Sequence, residues 1–142
     1  WSRKPSYGRY GDLSGHVAFA DRSAHRLARG IAAAMARHGP KLERRQAVLF
    51  RLVDIGAELF AMSATCVQAT AMVKANPADT SPVRLADLFC RQSRKRVSDL
   101  FKRLFDDTDR DAYRLAQGVL DGEYKWLEQG ILPPPAPEGV VR

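Results

Sequence analysis

Between Leu59 and Val73 the chain reads LFAMSATCVQATAMV, a stretch with no charge and only small or neutral polar groups. A helix built on such a stretch is apolar nearly all round, so it is expected to be buried on most sides. Ala57, Ala61, Ala64 and Ala71 would let neighbouring helices come close. The residues before it, Glu43, Arg44, Arg45, Arg51, Asp54 and Glu58, give the same helix a wet side in its first half. The expected rod runs from near Pro40 to about Asn76, roughly 50 Å at about 1.5 Å per residue. It is taken as the centre of the domain.

The flanking segments also read as helices. Val17, Ala20, Ala24, Leu27, Ile31 and Met35 recur at three- and four-residue spacing, one apolar stripe with Asp12 or Ser14 as its cap. HGPK ends it, because Gly39 suits a left-handed helix end and Pro40 cannot continue the ladder. NPADTSP is a loop, with Ser81 as the next cap and Pro82 as a favoured first residue. The third helix is expected to reach about Phe105, with Ala86, Phe89, Ser93, Val97, Leu100 and Leu104 inward. DDTDRD is a turn in which Asp107 or Thr108 caps a fourth helix. Tyr113, Leu115, Ala116, Val119, Leu120, Tyr124 and Leu127 form the apolar side of that helix, and Gly130 stops it. No convincing strand is found. The expected fold is all-α, an antiparallel bundle of about four helices with a long buried central helix. Residues 1–11 read as a linker, 12–132 as the bundle and 133–142 as a Pro-rich tail.

A chain of 142 residues that is 45% hydrophobic can bury one core. It holds no apolar run long enough to span a bilayer and no signal-peptide pattern. Cys66 and Cys90 lie among apolar neighbours and outside any CxxC pair, which reads as two buried free thiols in a reducing compartment and argues against zinc. The net charge of +7 permits attraction to polyanions without demonstrating it. The chain begins at Trp1 rather than Met, which reads as a processed product or a piece of a longer polypeptide.

RQSRKR, Arg91 to Arg96, puts four positive charges in six residues. Arg84, Arg91, Lys95 and Lys102 are spaced by seven, four and seven, so they share one outer face of the third helix. The commonest reading of such a face is a solvated helix side, and the next is contact with an acidic membrane surface or partner. Nucleic acid ranks lower, because exposed stacking aromatics and a docking motif are missing. No GxSxG, Walker loop, GxGxxG or HExxH occurs. His16, His25 and His38 are too far apart for an i, i+4 metal pair, and exposed or capping histidine is the default. Asp54 and Glu58 are an i, i+4 carboxylate pair, read first as ion-pair partners for Arg51 or for arginines of another helix. No residue is assigned a catalytic, cofactor-binding or metal-binding role.

Three runs in order resemble a known family. RLVDIGAELFAMSATCVQAT, DLFCRQSRKRV and YRLAQGVLDGEYKWLEQGI are similar to the final helical domain of the very-long-chain type of acyl-CoA dehydrogenase. The resemblance covers roughly residues 12 to 132. It implies a parent flavoprotein that oxidises fatty acyl-CoA to trans-2-enoyl-CoA in fatty-acid β-oxidation, with FAD as hydride acceptor and a glutamate as base. It further implies a homodimer that passes electrons to an electron-transfer flavoprotein. The base and the flavin contacts would lie in an upstream catalytic core before Trp1, so no catalytic residue carries over to Glu43, Glu58, Glu123 or Glu128. Within that reading Arg84, Arg91, Arg94, Lys95 and Lys102 would face an anionic membrane or acidic partner, and the expected location is cytoplasmic with peripheral membrane contact. The competing reading is a freestanding helical module that binds acidic partners, nucleic acid included, through its basic face.

Overall fold

The apolar spacing becomes helices in the computed structural model, which describes residues 6–106 and 108–130. They are α1 (Ser14–His38), α2 (Gln46–Ala75), α3 (Ser81–Lys102) and α4 (Asp109–Leu120), with 3-10 turns at Gly8–Leu13, Gly39–Arg44 and Lys125–Glu128. No strand is present among the described residues. The all-α expectation therefore holds. The chain divides after Phe105 into two units, the first holding α1 to α3 and the second α4.

In the first unit α2 packs antiparallel to both neighbours, and three core layers stack along it. Leu13, Met62, Cys66, Ala69, Ala86 and Cys90 form one end. Ala20, Ile55, Leu59, Val97 and Phe101 form the middle. Ala34, Val48, Leu52 and Leu104 form the other end. α2 therefore contributes Val48, Leu52, Ile55, Leu59, Met62, Cys66 and Ala69, a strict four-three repeat that makes it the central helix.

Two inner faces differ from the expected ones. α1 turns Ala20, Ser23 and Ala34 inward and leaves Ile31 and Met35 exposed. The cause is close approach. A Cβ on Gly30 would stand 3.2 Å from Leu104 Cδ2 and 3.7 Å from Leu52 Cδ2, so those leucines occupy the space that a side chain would need. On α3 the buried stripe is Ala86, Cys90, Ser93, Val97 and Phe101, followed by Leu104 just past its end, with Phe89 and Leu100 only partly covered. A further correction concerns 59–73, which is not buried on most sides. Leu59, Met62, Cys66 and Ala69 are buried, while Phe60, Val67 and Met72 are exposed.

Caps also differ. Leu13, fully buried, takes the position before α1, and no side chain of Asp12 or Ser14 caps it. The 3-10 turn at Gly8–Leu13 falls in the segment expected to be a linker, and Tyr10 packs on the end layer. Ser81 is the first residue of α3, not its cap, and the Asp79 carboxylate accepts its N–H at 2.9 Å. Gly39 ends α1 with a positive φ, as expected.

In the second unit α4 stops ten residues before Gly130. Gly122 adopts φ 80°, Glu123 N–H reaches Gly118 O at 2.9 Å, and Gly122 N–H reaches Val119 O at 3.1 Å. This paired closure satisfies the last carbonyls and needs a residue free of a Cβ at Gly122. Thr108 precedes α4, with Asp106 accepting its N–H and hydroxyl. The candidate cap Asp107, the residues before Ser6 and the Pro-rich tail 133–142 lie outside the described residues. Tyr113, Leu115, Val119, Leu120 and Leu127, expected as the apolar side of the fourth helix, are exposed, and Leu127 lies beyond its end.

Ile55 is fully buried in the middle layer. Ile55→Ala is expected to lower stability by about 2–5 kcal/mol, measured by urea denaturation. Phe60→Ala, on the exposed side, should change it by less than about 0.5 kcal/mol when the same unit is compared.

Candidate functional site

The four cations of RQSRKR go to four different places. Arg91 Nε meets Asp87 Oδ2 at 3.0 Å, one helical turn back on α3. Arg94 is half-buried, its guanidinium 4.7 Å from the centre of the Phe19 ring on α1. Lys95 is exposed and has no ion-pair partner among the described residues. Arg96 turns toward α2, where Nε and Nη2 donate to the Glu58 carboxylate at 2.5 and 2.9 Å. Of the remaining cations assigned to the face, Lys102 pairs with Asp99 at 3.1 Å, and Arg84 is exposed without a partner among the described residues. Arg84, Arg91, Lys95 and Lys102 are thus all exposed, but Arg84 and Lys95 alone among them have no acid beside them among the described residues.

The carboxylates anchor this arrangement. Glu58 also accepts from Ser93 Oγ at 2.5 Å, so a fully buried hydroxyl and one guanidinium converge on it. The Arg96 hydrogen bond, with help from Ser93, holds the Glu58 carboxyl below its usual range, against the opposing effect of burial. The expectation that Glu58 pairs with an arginine of another helix is met. Asp87 takes His16 Nε2 at 3.0 Å on one oxygen and Arg91 on the other. The hydrogen bond from His16, then the charge of Arg91, keeps the Asp87 carboxyl below the ordinary range.

His16 is buried, contrary to the exposed or capping role expected of it, and its Nδ1 has no hydrogen-bond partner among the described residues. His25 is exposed. His38 tilts against Phe105 at 6.4 Å, and burial followed by nearby Arg45 and Arg37 lowers its pKa. Arg26 lies 4.1 Å over Phe101, the same contact that Arg94 makes with Phe19 in the opposite direction between α1 and α3. Each such contact contributes about 0.5–1 kcal/mol at an exposed site. These crossings join residues far apart in sequence, and no local signal announces them.

Cys66 and Cys90 are buried and free, as expected, with sulfurs 3.7 Å apart across α2 and α3. The hydrogen bond to Cys66, with burial, pushes the Cys90 thiol well up. A protonated, fully covered thiol is a poor nucleophile. No group of three or more metal-ligating side chains occurs among the described residues. No described helix is long and apolar enough to cross a membrane.

Comparison with known proteins gives the frame. The family described as ACAD9/ACADV, C-terminal domain, matches residues 11–121. The chain belongs to this family. Proteins named "Probable acyl-CoA dehydrogenase FadE10" from Mycobacterium bovis and Mycobacterium tuberculosis are each 48% identical over 128 residues. Those alignments cover 89% of this chain and 20% of each relative, so the chain spans about a fifth of the length of these curated relatives. No solved structure matches. The ACAD9/ACADV C-terminal domain match takes in α1, α2, α3 and α4.

Because the folded pKa of Glu58 lies below its ordinary value of 4.5, its stabilisation is present above that value and is lost as pH falls through the folded one. Glu58→Gln is expected to lower stability at neutral pH by about 1–3 kcal/mol. The gap from the unchanged protein should close as pH drops below the ordinary carboxylate range, measured by urea denaturation at a series of pH values.

Proposed function

We propose that the chain is the C-terminal helical domain of an FAD-dependent acyl-CoA dehydrogenase. The parent oxidises fatty acyl-CoA to trans-2-enoyl-CoA in fatty-acid β-oxidation, and this domain packs and docks instead of carrying the reaction. The family match over 11–121, with 48% identity to relatives named as acyl-CoA dehydrogenases, supports the reading. The competing reading, a freestanding module, has no comparable support.

One groove of this domain is a poor match for FAD. The open groove of about 600 Å³ between α2 and α3 is lined by Asp54, Glu58 and Asp99 against Arg96 and Arg103. Arg96 is already held by Glu58, and three carboxylates repel a pyrophosphate. In this reading FAD and the catalytic base belong to an upstream core in the same polypeptide, which the match to the C-terminal part of much longer relatives supports, and no chemical step is assigned to this chain. The parent is proposed as a cytoplasmic homodimer that reduces an electron-transfer flavoprotein.

Full-length protein purified from its source should show a visible flavin band that bleaches when fatty acyl-CoA is added under anaerobic conditions. A colourless full-length protein would overturn the flavoenzyme reading.

Peripheral contact with an anionic membrane is proposed through the basic face of α3, with Arg84 and Lys95 leading because neither has an acid partner among the described residues, and with Arg91, Arg94 and Lys102 beside them. Each basic residue near such a surface contributes about 1 kcal/mol, less as salt rises. Arg84→Gln with Lys95→Gln should then weaken binding to phosphatidylserine vesicles about 30-fold at low salt, read by co-sedimentation. Equal binding to neutral vesicles, or none to either, removes the membrane contact.

A further inference from the structure

α2 carries two apolar seams, and α1 and α3 fill one of them. The second consists of Phe50, Val53, Phe60 and Val67, with Ala57, Ala64 and Ala71 between them. Its spacing is three, four, three, four, three, four, the repeat of a helix that meets another helix along its length. At about 100° per residue it lies about 150° from the filled seam, on the opposite face. All of its residues are exposed, Phe60 at 76% and Val53 at 66%.

The borders of this seam suit close apolar contact. Gly56, Ser63 and Thr70 run along one side. Ser63 Oγ donates to Leu59 O at 2.8 Å and Thr70 Oγ1 donates to Cys66 O at 2.7 Å, so both hydroxyl protons are used within the helix. Asp54, Ala61 and Gln68 run along the other. From Ile55 to Val73 the one charge on α2 is Glu58, and Arg96 and Ser93 hold it. Large residues alternate with alanines, so a partner helix can approach closely at Ala57, Ala64 and Ala71.

We propose that this second seam is the docking surface for the upstream part of the same polypeptide, which meets it with an uncharged apolar helical face. The inference rests on the reading above that this domain ends a longer chain. Two observations choose the occupant. The matched region is 20% of the relatives' length, so most of such a polypeptide is available to cover the seam. The seam is also of the right size. From residue 50 to 71 it is about 31 Å long and about 12 Å wide, which gives roughly 370 Å² per side. Contacts between domains of one chain bury about 600–1,500 Å² in total. A stable dimer of separate chains needs about 800 Å² per partner, which this seam falls short of. Linkage in one chain makes the smaller contact sufficient by raising the effective concentration. A membrane surface fits poorly, because the borders lack the Lys and Arg that flank an interfacial helix.

The test is photo-crosslinking in the full-length protein with p-benzoylphenylalanine in place of Phe60, and in place of the exposed Gln92 on α3 as the control. The expected product from position 60 has the mass of one chain and joins α2 to a peptide upstream of this domain, while position 92 gives none. A product of doubled mass that joins two copies of α2 would overturn the proposal in favour of a second copy. A product of one-chain mass that joins α2 to the exposed apolar face of α4, or the absence of any crosslinked peptide from position 60, would also overturn it. In the full-length protein, Phe60→Asp should speed proteolytic separation of the domain at least about tenfold, while its helical circular dichroism is retained and Gln92→Asp has no such effect. Unchanged proteolysis overturns the docking role. Flavin bleaching is scored separately, so an upstream crosslink in a protein without flavin would sink the enzyme reading and leave the docking surface standing.

Discussion

The seam of α2 from Val48 to Ala69 is the constraint on which the first unit depends. Its seven buried residues supply α2's share of all three core layers, so α1 and α3 are positioned by reference to one helix. Removing any large member of this seam opens a void that two neighbours share. The small residues opposite it complete the fit. Gly30 on α1 gives way to Leu52 and Leu104, and Ala86 and Ser93 on α3 let that helix approach Met62 and Glu58.

Arginine chemistry operates around this apolar centre. The cations of the α3 segment are divided among a carboxylate on its own helix, an aromatic ring on α1, a carboxylate on α2 and solvent. Arg suits this division because a planar guanidinium can stack on a ring or grip a carboxylate with two donors. A segment that reads as one basic patch is therefore partly engaged within the domain. The charge left over for a partner is smaller and more widely spread than the sequence count implies. In the same way the second half of α2 looks uniformly apolar in sequence because it carries two seams, one of which α1 and α3 fill.

The helical class was legible because residues three and four apart must share a face whatever the tertiary context. Gly39 as a helix end was legible for a similar reason, since its backbone preference is local. The rotation of α1 was not, because it depends on which neighbour approaches Gly30, and the large residues Ile31 and Met35 drew the expected stripe toward themselves. The early stop of α4 was obscured because Leu127 continues an apolar spacing that the turn at Gly122 overrides. Glu58 was recognised as an ion-pair residue, but its partner Arg96 lies 38 residues away and was counted with the outer basic patch.

The sequence by itself determined four helices, the central place of α2, two covered thiols and the family resemblance, all of which follow from local spacing and residue type. Tertiary structure alone decided which face of each helix is covered, which arginines remain available and which apolar seam is left bare. Those outcomes depend on contacts between segments tens of residues apart, where a rotation of about 100°, one residue step of a helix, exchanges a buried side chain for an exposed one.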